Sequence, residues 1–433
     1  MCKLNYPIQN DSTAGRKTGR SIIMIILGVV LLESSVQASE LVVERRKDQF
    51  LTSPGRLIAP VPYSMPGIGD GFFLLGHFAN AISTTGDLTV IKAIGDVEGY
   101  DVNIDEVPIL DHHLFLRAEL QDLSSVQQNY YDTRGMNTSK DDYTLLDISS
   151  YQSKNLGLDL TFFERRLTFS IDKSIANGEL SAVRDPDGII IADFPDPYKF
   201  DDDFTRLTFQ LDLTDDYQDP RSGIRMNLRY QDHPAKTDND PNFYVTELDV
   251  AFYQPMFNTD TLVLNYFQSD AHVKKKGNVD RDAIAEELGF NCDSTDAQCL
   301  STEASVVDNF VNERSNGTAT SLGGVNRFRA YPGERFSGAH VSTIGAEYRM
   351  NFERKSTPFN YAIWKDTHTG FQVAFFAEMG SVAETMDQLW DEKRYVVGSG
   401  LRLVTGSGAV YRFDLAIGDE GAQPNLFFYY PWN

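Results

Sequence analysis

The chain has 433 residues, of which 41% are hydrophobic and 12% aromatic, and its formal net charge is −23. Binding to nucleic acid needs clustered basic residues, so this charge argues against a nucleic-acid partner. The mean hydropathy is −0.32, and no run of about 20 apolar residues marks a membrane helix. A membrane β-barrel escapes that test, because only every second residue of its strands is apolar.

The first element in chain order is a signal peptide over residues 1–38. An apolar stretch, 21–32, follows Arg16, Lys17 and Arg20 and precedes small residues that end at Ala38. An uncleaved anchor is the weaker alternative, because so short a stretch does not span about 30 Å of hydrocarbon. Cleavage after Ala38 implies export from the cytoplasm.

The next segment, residues 39–70, contains Pro54, Pro60, Pro62 and Pro66. Prolines at this density favour an extended tail over a folded domain. We therefore expect a short periplasmic segment, or a plug, ahead of the main domain.

Strand periodicity dominates the rest, residues 71–433, because apolar residues recur at every second position and charged or amide residues lie between them. The stretch 411–417 is an example: Tyr411, Phe413, Leu415 and Ile417 alternate with Arg412, Asp414 and Ala416. Fifteen to seventeen strands are expected. Because a sheet in lipid must close and bacterial barrels have even strand numbers, we predict an all-β, antiparallel transmembrane barrel of 16 strands.

The longest predicted loop covers residues 268–322 and includes a short helix at 281–288. It also contains Cys292 and Cys299. In an exported chain this close spacing favours a local disulfide, with a free pair as the alternative. No histidine completes a zinc-like spacing, so neither a metal nor a cofactor is expected.

Residues 321–433 carry the most specific pattern, with the segments SLGGVNRFRAYPGERF, EYRMNFE, FQVAFFAEMGSVAE and YVVGSGLRLVTGSGAVYRFDLAIG. This pattern resembles the C-terminal barrel of the bacterial surface-antigen superfamily. These outer-membrane protein assembly factors include the core subunit of the barrel-assembly machinery and the two-partner secretion transporters. The resemblance covers the last five strands well. Residues 39–70 are too few for a polypeptide-transport-associated (POTRA) domain, so we expect a short member without such domains.

In that family a loop folds back into the lumen, and the Arg of an Arg-Gly-aromatic triplet contacts an acidic residue on an inward strand face. The resemblance assigns this motif to Gly323, Gly324, Arg327, Arg329, Ala330 and Tyr331. Ala330 replaces the family's Gly, which makes positive φ harder to reach. Glu378 replaces its Asp.

Alternation gives an independent prediction of the lumenal side chains. If Phe371, Val373 and Phe375 face lipid, Glu378 faces the lumen. The same rule directs further charges inward, namely Glu347, Arg349, Arg402 and Asp414. The alternative is that Arg329 and Glu378 are two of many lumenal charges without a special role.

The resemblance implies an integral outer-membrane protein that assists insertion or translocation of protein or lipid. Its expected partners are outer-membrane lipid, lipopolysaccharide, and a periplasmic partner or client protein. The expected seam joins 71–81 to 424–432, and four residues of the last strand form a lipid-facing stripe that could act as a targeting signal: Leu426, Phe428, Tyr430 and Trp432.

Two alternatives belong to other functional classes. A passive outer-membrane pore is the first. A lipid-modifying enzyme is the second and weaker one, because no G-x-S-x-G motif occurs and His113 has no evident Ser partner. No catalytic residue is therefore assigned.

Overall fold

A computed structural model describes residues 54–432, apart from 66, 83–84, 111–112, 132, 258, 288–291, 293, 296, 353–358, 362–363, 368 and 406–409. The predicted signal peptide lies outside the described residues.

The described part is all-β except for one long connection. Its strands are β1 (Gly55–Met65), β2 (Gly69–Ile82), β3 (Gly86–Gly95), β4 (Glu98–Leu110), β5 (Leu114–Tyr131), β6 (Tyr143–Phe162), β7 (Leu167–Arg184), β8 (Ile190–Asp212), β9 (Gly223–His233), β10 (Asn242–Met256), β11 (Asp260–Lys275), β12 (His340–Phe352), β13 (Phe359–Tyr361), β14 (Trp364–Thr367), β15 (Thr369–Ala383), β16 (Arg394–Thr405), β17 (Val410–Gly418) and β18 (Gly421–Phe428). Two helices, α1 (Arg281–Glu287) and α2 (Ala297–Asn316), lie between β11 and β12.

Sixteen of these strands form a closed antiparallel ring, as the sequence predicts. Consecutive strands pair from β1 to β12, β12 pairs with β15, and consecutive pairing resumes to β18. The ring closes between β18 and β1, where Leu426 lies opposite Ser64. Strands β13 and β14 form a hairpin that is not among the sixteen. Strand β14 also pairs with the start of β1, where Lys365 lies opposite Arg56. We call the end where β1 begins and β18 finishes the terminal end, and the opposite end the loop end.

The barrel begins earlier than predicted. The sequence places its start at residue 71, but residues 55–65 form β1 and pair with β2 along their whole length. This strand was not predicted because it contains Pro60 and Pro62, and proline is uncommon inside strands. The two prolines are two residues apart, so the N–H groups that they lack would both point to the same neighbouring strand. That strand is β18 and not β2, which is why β1 can still pair with β2 along its whole length.

The long connection also has different bounds from those predicted. Strand β11 continues to Lys275 and β12 begins only at His340, so the connection covers 276–339 rather than 268–322. Polar outward residues such as Gln268 and Asp270 looked like loop, yet both are paired in the sheet. The predicted helix at 281–288 is confirmed as α1.

The two faces of the sheet differ in chemistry, which confirms the alternation argument. On β17, Phe413 is 44% exposed and Ile417 is 50% exposed, whereas Arg412 and Asp414 are almost fully buried. A water-soluble barrel would show the reverse distribution. Apolar side chains outside and charged side chains inside fit a barrel whose outer wall contacts lipid. Separately, none of the described helices is long and apolar enough to cross a membrane.

Candidate functional site

The second half of the β11–β12 connection folds back into the barrel. Its residues 319–339 include a compact aromatic core of Phe328, Tyr331 and Phe336, all fully buried. The ring of Tyr331 stacks on Phe328 at 4.8 Å and meets Phe336 edge-on at 5.1 Å. We call residues 319–339 the lumenal loop. The structure therefore places the motif that the resemblance identified inside the lumen.

Two glycines make the loop's entry possible. Gly323 has φ +119°, and a Cβ at this position would lie 1.9 Å from the Pro332 carbonyl oxygen. Gly324 has φ +96°, and its N–H donates to the Tyr331 carbonyl at 2.9 Å. Only glycine combines this conformation with so close a backbone approach.

Ala330 is compatible with the loop because the strained positions lie elsewhere. The positive φ values of the loop occur at Gly323, Gly324, Phe328 and Glu334, not at Ala330. On the facing strand, Gly418 leaves the necessary space, since a Cβ there would lie 3.1 Å from the Ala330 Cβ. The departure from the family's Gly thus does not prevent a tight loop tip.

Arg329 occupies the centre of a buried ion cluster. Its Nε donates to Glu378 Oε1 at 3.1 Å, and its Nη1 lies 2.9 Å from Glu347 Oε2 and 3.0 Å from Asp414 Oδ2. Its main-chain N–H also donates to Glu378 Oε2 at 3.0 Å. The guanidinium lies over the ring of Phe376, 3.4 Å from its centroid. One loop residue thereby binds three strands, β12, β15 and β17.

Three further arginines complete the cluster from the barrel wall. Arg412 lies 3.6 Å from Asp414 Oδ2. Arg402 pairs with Glu347 at 3.0 Å and with Asp414, and Arg349 pairs with Glu347 at 2.8 Å. Every one of these side chains is nearly inaccessible to solvent. Breaking one partner of such a buried pair costs about 3–5 kcal/mol, because a charge is left uncompensated.

Arg327, the other arginine of the motif, binds a different wall. It pairs with Asp249 of β10, and its guanidinium lies 3.9 Å from the ring centroid of Phe267 on β11. The loop therefore lies along the consecutive strands β10 to β17, with Arg327 at the β10 end of this wall and Arg329 at the other.

The β5–β6 connection covers the lumenal loop at the loop end, and no sequence pattern predicts this contact. Met136, from the β5–β6 connection, is buried in the same core as Phe328 and Tyr331. Arg335 of the loop pairs with Glu420 at 2.7 Å and donates to the Thr138 carbonyl at 2.9 Å. These contacts join residues far apart in sequence, so no local pattern could have revealed them.

The C-terminal residues turn into the lumen, which corrects the predicted lipid-facing stripe. Tyr430 and Trp432 are buried. The Tyr430 hydroxyl lies 2.7 Å from Asp219 Oδ1, and the Trp432 indole N–H donates to Glu378 Oε1 at 3.2 Å. Two features account for the inward turn. The lumen offers these polar partners, and Gly345 leaves room for the Trp432 indole, because a Cβ on Gly345 would lie 2.5 Å from it.

The other residues singled out in the sequence lie apart from this cluster. Cys292 is disulfide-bonded; the side chain of Cys299 is outside the described part, so their pairing stays a prediction. His113 lies between β4 and β5, where its Nδ1 is 2.9 Å from the Thr161 carbonyl oxygen. Among the described residues, no group of three or more His, Cys, Asp or Glu could hold a metal ion.

Comparison with known proteins gives structural neighbours only. No family model and no curated protein matches the chain. It is similar to the crystal structure of BamA from Haemophilus ducreyi lacking POTRA domains 1–3, with 12% identity and a TM-score of 0.46, over 96% of this chain and 79% of that one. It is also similar to CdiB from Escherichia coli, with 10% identity and a TM-score of 0.49, over 88% of this chain and 62% of that one. For CdiB from Acinetobacter baumannii the values are 11% and 0.45, over 87% and 60%. The chain thus spans about three fifths of either CdiB.

Proposed function

We propose that this chain is an integral outer-membrane barrel of the surface-antigen, or assembly-factor, type and that it assists insertion or translocation of protein or lipid at the outer membrane. The sequence pattern of residues 321–433 supports this proposal. So does the inverted distribution of apolar and charged side chains. The loop end would face outward, because long connections of such barrels lie on that side.

The observation that carries the proposal is the weak seam between β18 and β1. Strands β17 and β18 pair from Tyr411–Phe428 to Gly418–Gly421, and β1 pairs fully with β2. Across the seam, Ser64 and Leu426 form the single register pair of the described residues. A barrel that opens sideways to a client would part where the fewest strand hydrogen bonds must break.

Two sequence features keep the seam short. Pro60 and Pro62 remove donors from the β18-facing edge of β1. In the antiparallel register set by Ser64 and Leu426, residues beyond 428 would lie opposite Val61 and the residues before it. Those residues instead turn into the lumen, where Tyr430 and Trp432 are buried.

The lumenal loop contacts both sides of the seam. Asn425 of β18 donates to the Arg329 carbonyl at 2.8 Å. Gly67, in the β1–β2 turn, lies so near Pro332 that a Cβ on it would be 3.0 Å from the proline Cβ. Movement of β1 away from β18 would therefore disturb the loop, which makes the loop a sensor of seam opening.

Cross-linking of the seam tests the proposal. Ser64→Cys with Leu426→Cys would lock β1 to β18, in a Cys292→Ser, Cys299→Ser background that avoids false pairing. Oxidised protein in lipid vesicles should lose its acceleration of the folding of an added unfolded barrel protein, or of lipid transfer. Reduction should restore it.

A matched pair controls for the chemistry. Phe413→Cys with Leu426→Cys joins β17 to β18, which are already fully paired, and shares one of the two substitutions. This pair should leave activity unchanged when oxidised. If the seam cross-link forms completely and activity persists, opening at β1–β18 is not part of the function. If wild-type protein accelerates neither process, the proposed function itself is wrong.

A further inference from the structure

The outer wall has a depression where a barrel is normally convex. It encloses about 650 Å³ and lies on strands β5 to β10. Its outward apolar lining includes Leu158, Phe169, Ile171, Leu207, Phe209 and Leu228. These side chains are neighbours in register: Ile171 is opposite Leu207, and Phe169 is opposite Phe209, with ring centroids 5.1 Å apart. We call this depression the wall groove.

Lysines border the wall groove on its loop-end side. Lys173 follows Ile171 on the outward face of β7, and Lys154 precedes Leu156 on the outward face of β6. Across the groove, Lys274 lies 3.3 Å from the hydroxyl of Tyr230, which itself lines the groove. Lys173 and Lys154 lie six and eight residues from the terminal ends of β7 and β6, and Lys274 lies fourteen from that of β11. The apolar band of such barrels is about 25 Å tall, so we place these lysines toward its loop-end border, near the headgroup level.

The lysines are available to a further anion. Lys173 pairs with Asp203 and Lys274 with Asp232, but all four side chains are more than a third exposed. Exposed ion pairs are worth at most about 1 kcal/mol, so a phosphate can share or replace the aspartate as a partner. Lys154 is also exposed.

We propose that the wall groove binds the phosphorylated, multi-chain lipid anchor of lipopolysaccharide, with acyl chains along Phe169 and Leu228 and phosphate groups at the lysine border. The groove crosses six strands, about 24 Å at the usual spacing, with Lys154 near one flank and Lys274 beyond the other. That width fits an anchor with several chains and more than one phosphate. A phospholipid with two chains and one phosphate would occupy only one flank.

This inference rests on the proposed membrane location but needs no transport activity. The test is native mass spectrometry of the mature protein in detergent, with lipid A or phosphatidylglycerol added at equal concentration. Wild-type protein should retain lipid A preferentially. Lys154→Ala with Lys173→Ala should weaken retention about 30-fold, since each lysine near a charged lipid contributes roughly fivefold. Leu228→Trp, which fills the groove, should also weaken it.

Two controls make the result decisive. Lys92→Ala removes an outward lysine on β3, which lies over the ring of Tyr100 away from the groove, and should leave binding unchanged. Lys173→Arg keeps the charge and should bind like wild type. Equal retention of phosphatidylglycerol, equal loss in Lys92→Ala, or no loss in the double variant would each overturn the inference. Because the seam cross-link is assayed separately, either proposal can fail while the other stands.

Discussion

The indole N–H of Trp432 donates to Glu378 Oε1 at 3.2 Å, so the C-terminal tail binds the same carboxylate as Arg329 of the lumenal loop. Glu378 is buried on β15. Both the C-terminal tail, which follows β18, and the lumenal loop are therefore held by Glu378. A substitution in the tail should therefore alter the packing of the lumenal loop, and a substitution in the loop should alter that of the tail.

Arg329→Met tests the cluster directly. The substitution keeps most of the side-chain volume but leaves three carboxylates with less compensating charge, so we expect a loss of about 3–5 kcal/mol in the free energy of unfolding. Urea unfolding in lipid vesicles, followed by the heat-dependent gel shift, measures it. Arg56→Met, at an exposed position of β1, is the control and should change little. Equal stability of both variants would mean that the cluster contributes no net stabilisation.

A pair of loop variants tests where the loop is strained. Gly323→Ala should destabilise the protein by more than about 2 kcal/mol, because a Cβ there both requires left-handed backbone and meets the Pro332 carbonyl. Ala330→Gly, which restores the family's residue, should bring no gain, since Ala330 has no positive φ. Unfolding midpoints of the two variants decide this, and a marked stabilisation by Ala330→Gly would contradict the observed loop conformation.

Trp432→Ala tests the inward tail. Truncating a buried Trp typically costs about 3–5 kcal/mol, and here it also frees a hydrogen-bond acceptor on Glu378. We expect a lower unfolding midpoint and faster cross-linking kinetics at the seam cysteines. Tyr429→Ala, one residue after β18 and 53% exposed, serves as the matched control. A lipid-facing Trp432 would instead give similar small effects in both variants.

Deleting residues 323–336 tests whether the loop blocks conduction. The loop occupies part of the lumen, where Arg327 and Arg329 hold it against strands β10 to β17. Its removal should convert small or flickering currents in planar bilayers into a large, steady conductance. Deleting 281–287 in the same connection, which leaves the lumenal loop in place, should not. A large steady conductance of the wild-type protein would favour the passive-pore alternative.

Cys292→Ser separates the outer part of the long connection from the barrel. Helices α1 and α2 follow β11 outside the ring of strands, so the unfolding midpoint of the barrel should remain unchanged. Limited trypsin digestion should, however, cleave faster near Arg281, because the disulfide no longer restrains this region. A drop in the midpoint as large as that of Arg329→Met would show that the disulfide supports the barrel itself.

Local chemistry explains which parts of the fold were predictable. A strand between lipid and a polar lumen must alternate residue by residue, so the inward positions of Glu347, Glu378 and Asp414 could be inferred from sequence alone. Closure and an even strand count then follow from the exclusion of open edges in lipid. The strand β1 was missed because its prolines, which suit an edge at a seam, break the periodic pattern on which strand prediction relies.

The sequence by itself determined the barrel, its two faces and the lumenal destination of Arg329, because each depends on nearest neighbours or on a contiguous motif. Only the tertiary structure decided that Arg329 reaches Glu347 and Asp414 as well as Glu378, that Tyr430 and Trp432 turn inward, and that the seam lies at β1. The physical reason is that these contacts depend on the register between strands up to hundreds of residues apart. A loop or tail in the lumen has many charged side chains within reach, and the register of the closed ring decides which of them it contacts.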